Sequence, residues 1–353
     1  MADLDNTSDY RQFDKLGMLE HLHGFPEQCQ KAWEKVLRFE LPHLHTKISN
    51  VVILGMGGSA IGGDLVSSLA ASEAKLPVIV NRDYNLPAFV DARTLVIASS
   101  YSGNTEETLA ALEAARQAGA MLLAITTDGE LATRARELKV PLLTFDYRAQ
   151  PRAALGHSIV ALIGIVGRLG FVSNKKAELD EAISVMESWQ REINEAVPLA
   201  KNWAKKLAKK LHEHLSVVYG AGHLSQVARR WKGQFNENAK AWAFFEQLPE
   251  MNHNALAGTQ FPPDLAEKIV TVTLTSSLDH PRTRVRFQIT QEILSQQGVS
   301  CEVVEARGAS RLAQMLSAIH FGDYVSFYLA MLYGVDPTSL EVVDYLKQRL
   351  AEI

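Results

Sequence analysis

The chain has 353 residues, 47% of them apolar and 22% charged, the profile of a globular chain of about two domains. Its 36 Lys and Arg against 40 Asp and Glu leave a net charge of −4, which argues against a nucleic-acid binder or a polybasic membrane anchor, since both rest on a basic surface. Cys29 and Cys301 are far apart with no CxxC, the acidic start Met1-Ala2-Asp3-Leu4-Asp5-Asn6 is no signal peptide, and the apolar stretch 159–167 ends at Arg168, far short of the ~20 residues that span a bilayer, so a reduced, cytoplasmic protein is expected.

Residues 1–48 read as helical, with Pro and His punctuation. An apolar run at 51–54 then ends in glycines, and similar runs follow at 77–80, 95–98, 121–125 and 142–145. These runs are continuous, not alternating, as in strands covered on both faces. Amphipathic stretches such as 105–118, closed by Gly119, separate them. The alternation predicts an α/β domain over 49–155, a parallel sheet flanked by helices. Residues 156–215 read as a helical connection containing 179–193 and a Lys-rich segment, 201–210. Its lysines are expected on a solvated face because Trp203, Leu207 and Leu211 recur at helical spacing.

Over 216–353 the first pattern returns. The run ending in Gly220-Ala221-Gly222 echoes Gly55-Met56-Gly57, and 269–274 echoes 95–98; a helix ending near Gly298 and a strand at 301–304 follow. This is an internal duplication of about 150–180 residues, a repeat on the scale of a domain.

Chemistry is concentrated in the loops. Gly55-Met56-Gly57-Gly58-Ser59-Ala60 follows the first strand, where glycines permit a sharp turn and close backbone approach, and helix-start amides favour an anion. With Asp83 farther on, the spacing also fits a dinucleotide fingerprint loosely. The loop after the third strand, Ser99-Ser100-Tyr101-Ser102-Gly103-Asn104-Thr105, sets Ser100, Ser102 and Thr105 at a helix start. That is a cradle for a phosphate monoester without a lysine or a metal. In the second half the matching loop, Thr275-Ser276-Ser277-Leu278-Asp279-His280-Pro281, holds a carboxylate and a proline instead, so one phosphate per chain is expected. His21/His23, His43/His45 and His212/His214 are spaced i, i+2, which face apart on a helix, so no catalytic metal is expected.

The segments 57–64 and 100–108 resemble the sugar-isomerase (SIS) domain. Together with Gln150-Pro151-Arg152, Asn236-Glu237-Asn238, Pro249-Glu250-Met251-Asn252-His253-Asn254 and Leu332-Tyr333-Gly334-Val335-Asp336-Pro337, they make the chain similar to the bifunctional phosphoglucose/phosphomannose isomerases from about residue 20 onward. The resemblance implies two doubly wound, flavodoxin-like SIS domains, a homodimer, and no metal or other cofactor. It implies interconversion of glucose 6-phosphate and mannose 6-phosphate with fructose 6-phosphate. Gly57, Gly58, Ser59, Ser100, Ser102 and Thr105 would surround the sugar phosphate. Glu237 would be the base, His253, supplied by the neighbouring subunit, would open the ring, Arg152 would be the electrostatic partner, and Lys347 would reach the site from the C-terminal helix.

The chemistry asks for the same residue types. Moving a proton between C2 and C1 through a cis-enediol suits one carboxylate on one face. Ring opening needs a proton relay between O1 and O5, for which imidazole is suited near neutral pH. A guanidinium stays charged beside the developing oxyanion. Two alternatives remain open from the residues: a non-catalytic sugar-phosphate sensor, and a dinucleotide-dependent oxidoreductase built on Gly55–Ala60.

Overall fold

The computed structural model describes residues 3–44 and 46–352. The chain divides into two compact units: residues 24–186 with 307–316, and residues up to His23 with 187–306 and those from Ser317 on. In chain order the helices α1 (Tyr10–Phe13), α2 (Met18–His23) and α3 (Phe25–Arg38) come first. There follow β1 (Asn50–Leu54), α4 (Gly57–Ala70), β2 (Val78–Asn81), β3 (Thr94–Ser99), α5 (Glu106–Gln117), β4 (Met121–Thr126), α6 (Gly129–Glu137), β5 (Leu142–Thr144) and α7 (Leu155–Arg168). After α8 (Lys176–Ile193) and α9 (Trp203–Leu211) come β6 (Leu215–Ala221), α10 (Ser225–Asn238), β7 (Ala243–Leu248), β8 (Ile269–Thr275), α11 (Pro281–Gln296), β9 (Ser300–Glu305), α12 (Arg311–Tyr333) and α13 (Glu341–Ala351).

The apolar runs become strands because both of their faces are covered: every residue of β1 and β3 is buried. The first sheet is parallel, ordered β2-β1-β3-β4-β5; the second is parallel, ordered β7-β6-β8-β9. The chain leaves β1 toward one edge and β3 toward the other. The switch point between them opens a crevice at their carboxyl ends, where ligands bind in such folds. The duplication is visible in the backbone: Gly57 has φ +49° and its counterpart Gly222 φ +50°. Strand β7 is the one the sequence pattern leaves between helix and strand. Glu246 and Gln247 interrupt its apolar run, which an edge strand tolerates.

The Lys-rich helix turns Leu207 and Leu211 inward and leaves Lys209 and Lys210 exposed, as expected, but Lys205 and Trp203 depart from that setting. Lys205 is fully buried, 3.2 Å from an Asp5 carboxylate oxygen and 2.8 Å from Glu195 O, while Trp203 is 61% exposed. Asn202 caps α9 by accepting the Lys205 N–H, and Ala204, Leu207, Ala208 and Leu211 form the buried stripe. All four of those positions are alanine or leucine, which fit a close helix contact, whereas the indole at 203 stays outside. Burial lowers the Lys205 pKa despite its acidic partner. Helix α12 is 23 residues long with a mean hydropathy of 1.2 over its most apolar window. It is long and apolar enough to cross a bilayer, yet that window is wholly buried as a core helix.

His157 is buried in the first unit and His320 in the second. Burial, with Lys31 and Lys35 nearby, pushes His157 down to about 4; burial pushes His320 down to about 4. Both are therefore neutral when folded and regain a value near 6.5 when unfolded. Folding stability from these groups is complete above about pH 6.5 and is lost as pH falls through 4, because the unfolded chain takes up the protons first. Urea titrations between pH 7.5 and 4.5 should show this acid loss. A His157→Gln/His320→Gln chain should show a slope shallower by about two protons; an unchanged slope would assign the acid lability elsewhere.

Candidate active site

Two loops meet at the carboxyl ends of β1 and β3. After β1, Met56 is extended and Gly57 turns with positive φ to start α4. A side chain at Gly55 would strike Ser99 O at 2.8 Å, and one at Gly58 would strike the Pro151 carbonyl carbon at 2.9 Å, so the loop is pressed between β3 and the segment before α7. Ser59 N–H bonds Met56 O; the Gly57 and Gly58 amides ahead of it have no acceptor among the described residues. A Cβ at Gly57 would meet nothing within 4 Å, so this backbone faces open space.

In the loop after β3, Ser100 is buried. Its Oγ accepts the Gly103 N–H at 3.2 Å and shares a hydrogen bond of 2.9 Å with Thr105 Oγ1. Ser102 is exposed and its Oγ accepts the Asn104 N–H at 3.3 Å. Thr105 is the N-cap of α5, but its hydroxyl makes no cap bond, since it is turned to Ser100. The Ser59 Oγ accepts the Tyr101 N–H at 3.0 Å, tying the two loops together. Two helix N-termini and several hydroxyls thus converge, an arrangement that favours an anion.

Arg152 belongs to the same unit. It lies on a 3-10 turn, Pro151–Ala154, whose backbone touches Gly58, and it is only 2% exposed. Gln28 of α3 donates to Ala153 O at 2.9 Å and holds that turn, and Gly156 lets α3 come close. The first unit therefore brings together Gly57, Gly58, Ser59, Ser100, Ser102, Thr105 and Arg152.

Three supporting features escape a sequence reading. The Tyr101 hydroxyl donates to Tyr147 O and accepts the Ala149 N–H at 2.9 Å, joining the serine loop to the segment that bears Arg152. The turn after β4 braces the loop from outside: Thr127 Oγ1 donates to Tyr101 O, Asn104 Oδ1 accepts the Glu130 N–H, and Leu131 N–H bonds Gly103 O. Gly103 and Gly129, both at positive φ, allow that contact. A turn signal at Thr127-Asp128-Gly129 was readable in the chain; its partner was not. Asp83, the acid of the dinucleotide reading, is exposed, and its carboxylate accepts the Asn85 N–H of its own turn at 3.3 Å.

The other unit carries Glu237, His253 and Lys347 on separate elements. Glu237 is half-buried in the last turn of α10. Its neighbours fix the backbone around it: Asn236 donates to Ala241 O and Asn238 to the Ser326 hydroxyl, each at 2.9 Å. His253 ends a 3-10 turn, Glu250–His253, and is exposed. Asparagines anchor it likewise: Asn252 donates to Thr290 Oγ1 at 2.8 Å and Asn254 to Glu250 Oε1 at 2.9 Å. Lys347 is 73% exposed on α13, with its ammonium 4.0 Å from Asp344.

The second unit's own loop after β8 is closed on itself. Asp279 is buried and accepts the Ser276 N–H at 2.8 Å, and the His280 ring caps α11 by accepting the Arg282 N–H. Burial raises the Asp279 pKa. Of the histidine pairs, His45 lies outside the described residues. His23 pairs with Glu195 at 2.9 Å, and His214 Nδ1 lies 2.8 Å from His212 O. Among the described residues no group of three His, Cys, Asp or Glu side chains is placed to share a metal.

Comparison with known proteins follows the same division. Residues 45–144 match the SIS domain and residues 200–350 the bacterial phospho-glucose isomerase C-terminal SIS domain. A bifunctional phosphoglucose/phosphomannose isomerase of Caldicellulosiruptor bescii is 43% identical over 95% of this chain and 99% of its own. One of Aquifex aeolicus is 35% identical over 93% of this chain and 97% of its own. The solved C-terminal domain of glucosamine-fructose-6-phosphate aminotransferase from Francisella tularensis shares the fold, with a TM-score of 0.74 at 16% identity, over 96% of this chain and 100% of that one.

Proposed function

The chain belongs to the bifunctional phosphoglucose/phosphomannose isomerase family, and on that premise we propose that it is a cytoplasmic enzyme interconverting glucose 6-phosphate and mannose 6-phosphate with fructose 6-phosphate. The observation that carries this reading is the hydroxyl-lined pair of helix N-termini beside buried Arg152. Such a cradle suits the dianionic phosphate of an open-chain sugar.

In this reading Gly57, Gly58, Ser59, Ser100, Ser102 and Thr105 hold the phosphate. His253 relays a proton between O1 and O5 to open the ring. Glu237 takes the proton from C2 and returns it to C1, and Arg152 balances the charge on the enediolate oxygen. Rotation about C2–C3 presents either face of the enediol to the same carboxylate, so C2 epimers share one base. Every step moves a proton and none moves an electron, so the reaction calls on no nicotinamide. The enzyme acts as a homodimer in which His253 serves the partner's site; the exposure of His253 supports this. Lys347 approaches the sugar from the C-terminal helix.

Purified protein given glucose 6-phosphate or mannose 6-phosphate with excess chelator should release fructose 6-phosphate from both. No product from the mannose ester would end the dual activity. Tight binding without turnover of either would favour the sensor.

A further inference from the structure

The two sheets differ by one strand. In the first unit β5 covers the outer side of β4: Ala124 N–H donates to Pro141 O at 2.9 Å and Phe145 N–H to Thr126 O at 3.1 Å. In the second unit β9 holds the place of β4, but the chain runs from it to α12, and among the described residues no strand lies beyond. Ala306 N–H bonds Thr275 O at 2.9 Å. Alternation along the strand therefore turns the backbone N–H and C=O of Val303 and Glu305 away from β8, to the uncovered side. Register makes Val303 the counterpart of Ala124, since Ala98 pairs with Ala124 and Thr273 with Val303.

That side is a slot of about 760 Å³ between β9 and α9, floored by Phe321. In the first unit the corresponding helix, α3, stands beside β5 itself, and the groove there is about 430 Å³. Trp203, 61% exposed, and Val303, 52% exposed, hold apolar surface at the mouth. The rim is cationic. Lys206 Nζ lies 5.1 Å from the Trp203 ring centroid, and Lys209 is exposed. The acids lining the slot already have lysines, Asp5 with Lys205 and Glu302 with Lys210, which leaves Lys206 and Lys209 in surplus.

We propose that this slot receives an extended acidic segment of a partner protein, added to β9 as the missing fifth strand. Its main chain would pair with Val303 and Glu305, its apolar side chains would meet Leu207, Phe321 and Trp203, and its carboxylates would meet Lys206 and Lys209. A second copy of this chain fits poorly. Two β9 edges related by a two-fold axis would set Lys206 and Lys209 of each copy against the same lysines of the other.

The test selects displayed random heptapeptides on the immobilised full-length protein, synthesises the consensus and measures its binding by fluorescence anisotropy. The expected consensus alternates acidic and apolar residues and binds more weakly as salt rises. Val303→Pro removes only a donor that faces away from β8, so the sheet keeps its ladder. It should cut affinity about tenfold. Lys206→Ala with Lys209→Ala should cut it about five- to tenfold. All variants should keep the parent's circular dichroism and isomerase rate. No enrichment, a consensus without acids, or affinity unchanged in Val303→Pro would overturn the proposal. So would a concentration-dependent dimer that Val303→Pro dissolves, which would make a second copy the occupant.

Discussion

Glu237→Gln should bind hexose 6-phosphates as the parent does while turning them over about 10²–10⁴-fold more slowly, the usual loss when a general base is removed. Glutamine matches glutamate in shape but cannot take a proton from carbon. The helix that presents it is held independently: Arg230 lies 3.0 Å from Asp323 in a buried ion pair, and the Trp231 indole donates to Ala318 O at 2.9 Å. The asparagine bonds on either side of position 237 use other side chains, so they survive the change. Two measurements separate base from bystander. Calorimetric binding of fructose 6-phosphate should be unchanged, and exchange of the C2 proton with deuterated solvent should fall together with turnover. A variant with the parent's exchange rate would remove Glu237 from the mechanism.

Gly103→Ala should raise KM for glucose 6-phosphate about ten- to a hundredfold and lower Tm by several degrees, because its φ of +72° is strained for any side chain. The added Cβ would also sit 1.8 Å from Asp128 O, a backbone atom that cannot swing aside. Relief requires the serine loop to part from the turn after β4, which carries Ser100, Ser102 and Thr105 off their positions. Ser102→Ala with Thr105→Ala keeps the backbone in place and removes two hydroxyls, so it should weaken binding with a smaller loss of Tm. Thermal unfolding with and without glucose 6-phosphate reads both quantities. A destabilised Gly103→Ala chain that kept its KM would show that this loop does not hold the phosphate.

Much of the fold was legible because continuous apolar runs and glycine punctuation are local signals. Eight of the nine strands answer to such runs; β7 does not, because an edge strand needs fewer apolar residues and its Glu246 and Gln247 blur the period. The serine-rich loop was legible for the same local reason, as hydroxyls and a glycine beside a helix start. The lysine helix departs from its pattern at Lys205 and Trp203, because a period of 3.6 cannot say which of two adjacent stripes meets a neighbour. Asn202 and Asp5 decided that, from a cap and from a residue 200 positions away.

The amino-acid order by itself determined the doubly wound halves, their duplication and the residue types suited to moving a proton on a phosphorylated sugar, since these rest on periodicity and on groups adjacent in the chain. Only the tertiary structure decided that Tyr101 ties the serine loop to the Arg152 segment, that Gly58 must lack a side chain to lie against Pro151, and that Asp279 closes the duplicate loop on itself. It also decided that, among the described residues, β9 has no outer neighbouring strand. Each of these is a contact or a gap between segments distant in the chain or set by loop geometry, and close packing, not local pattern, selects it.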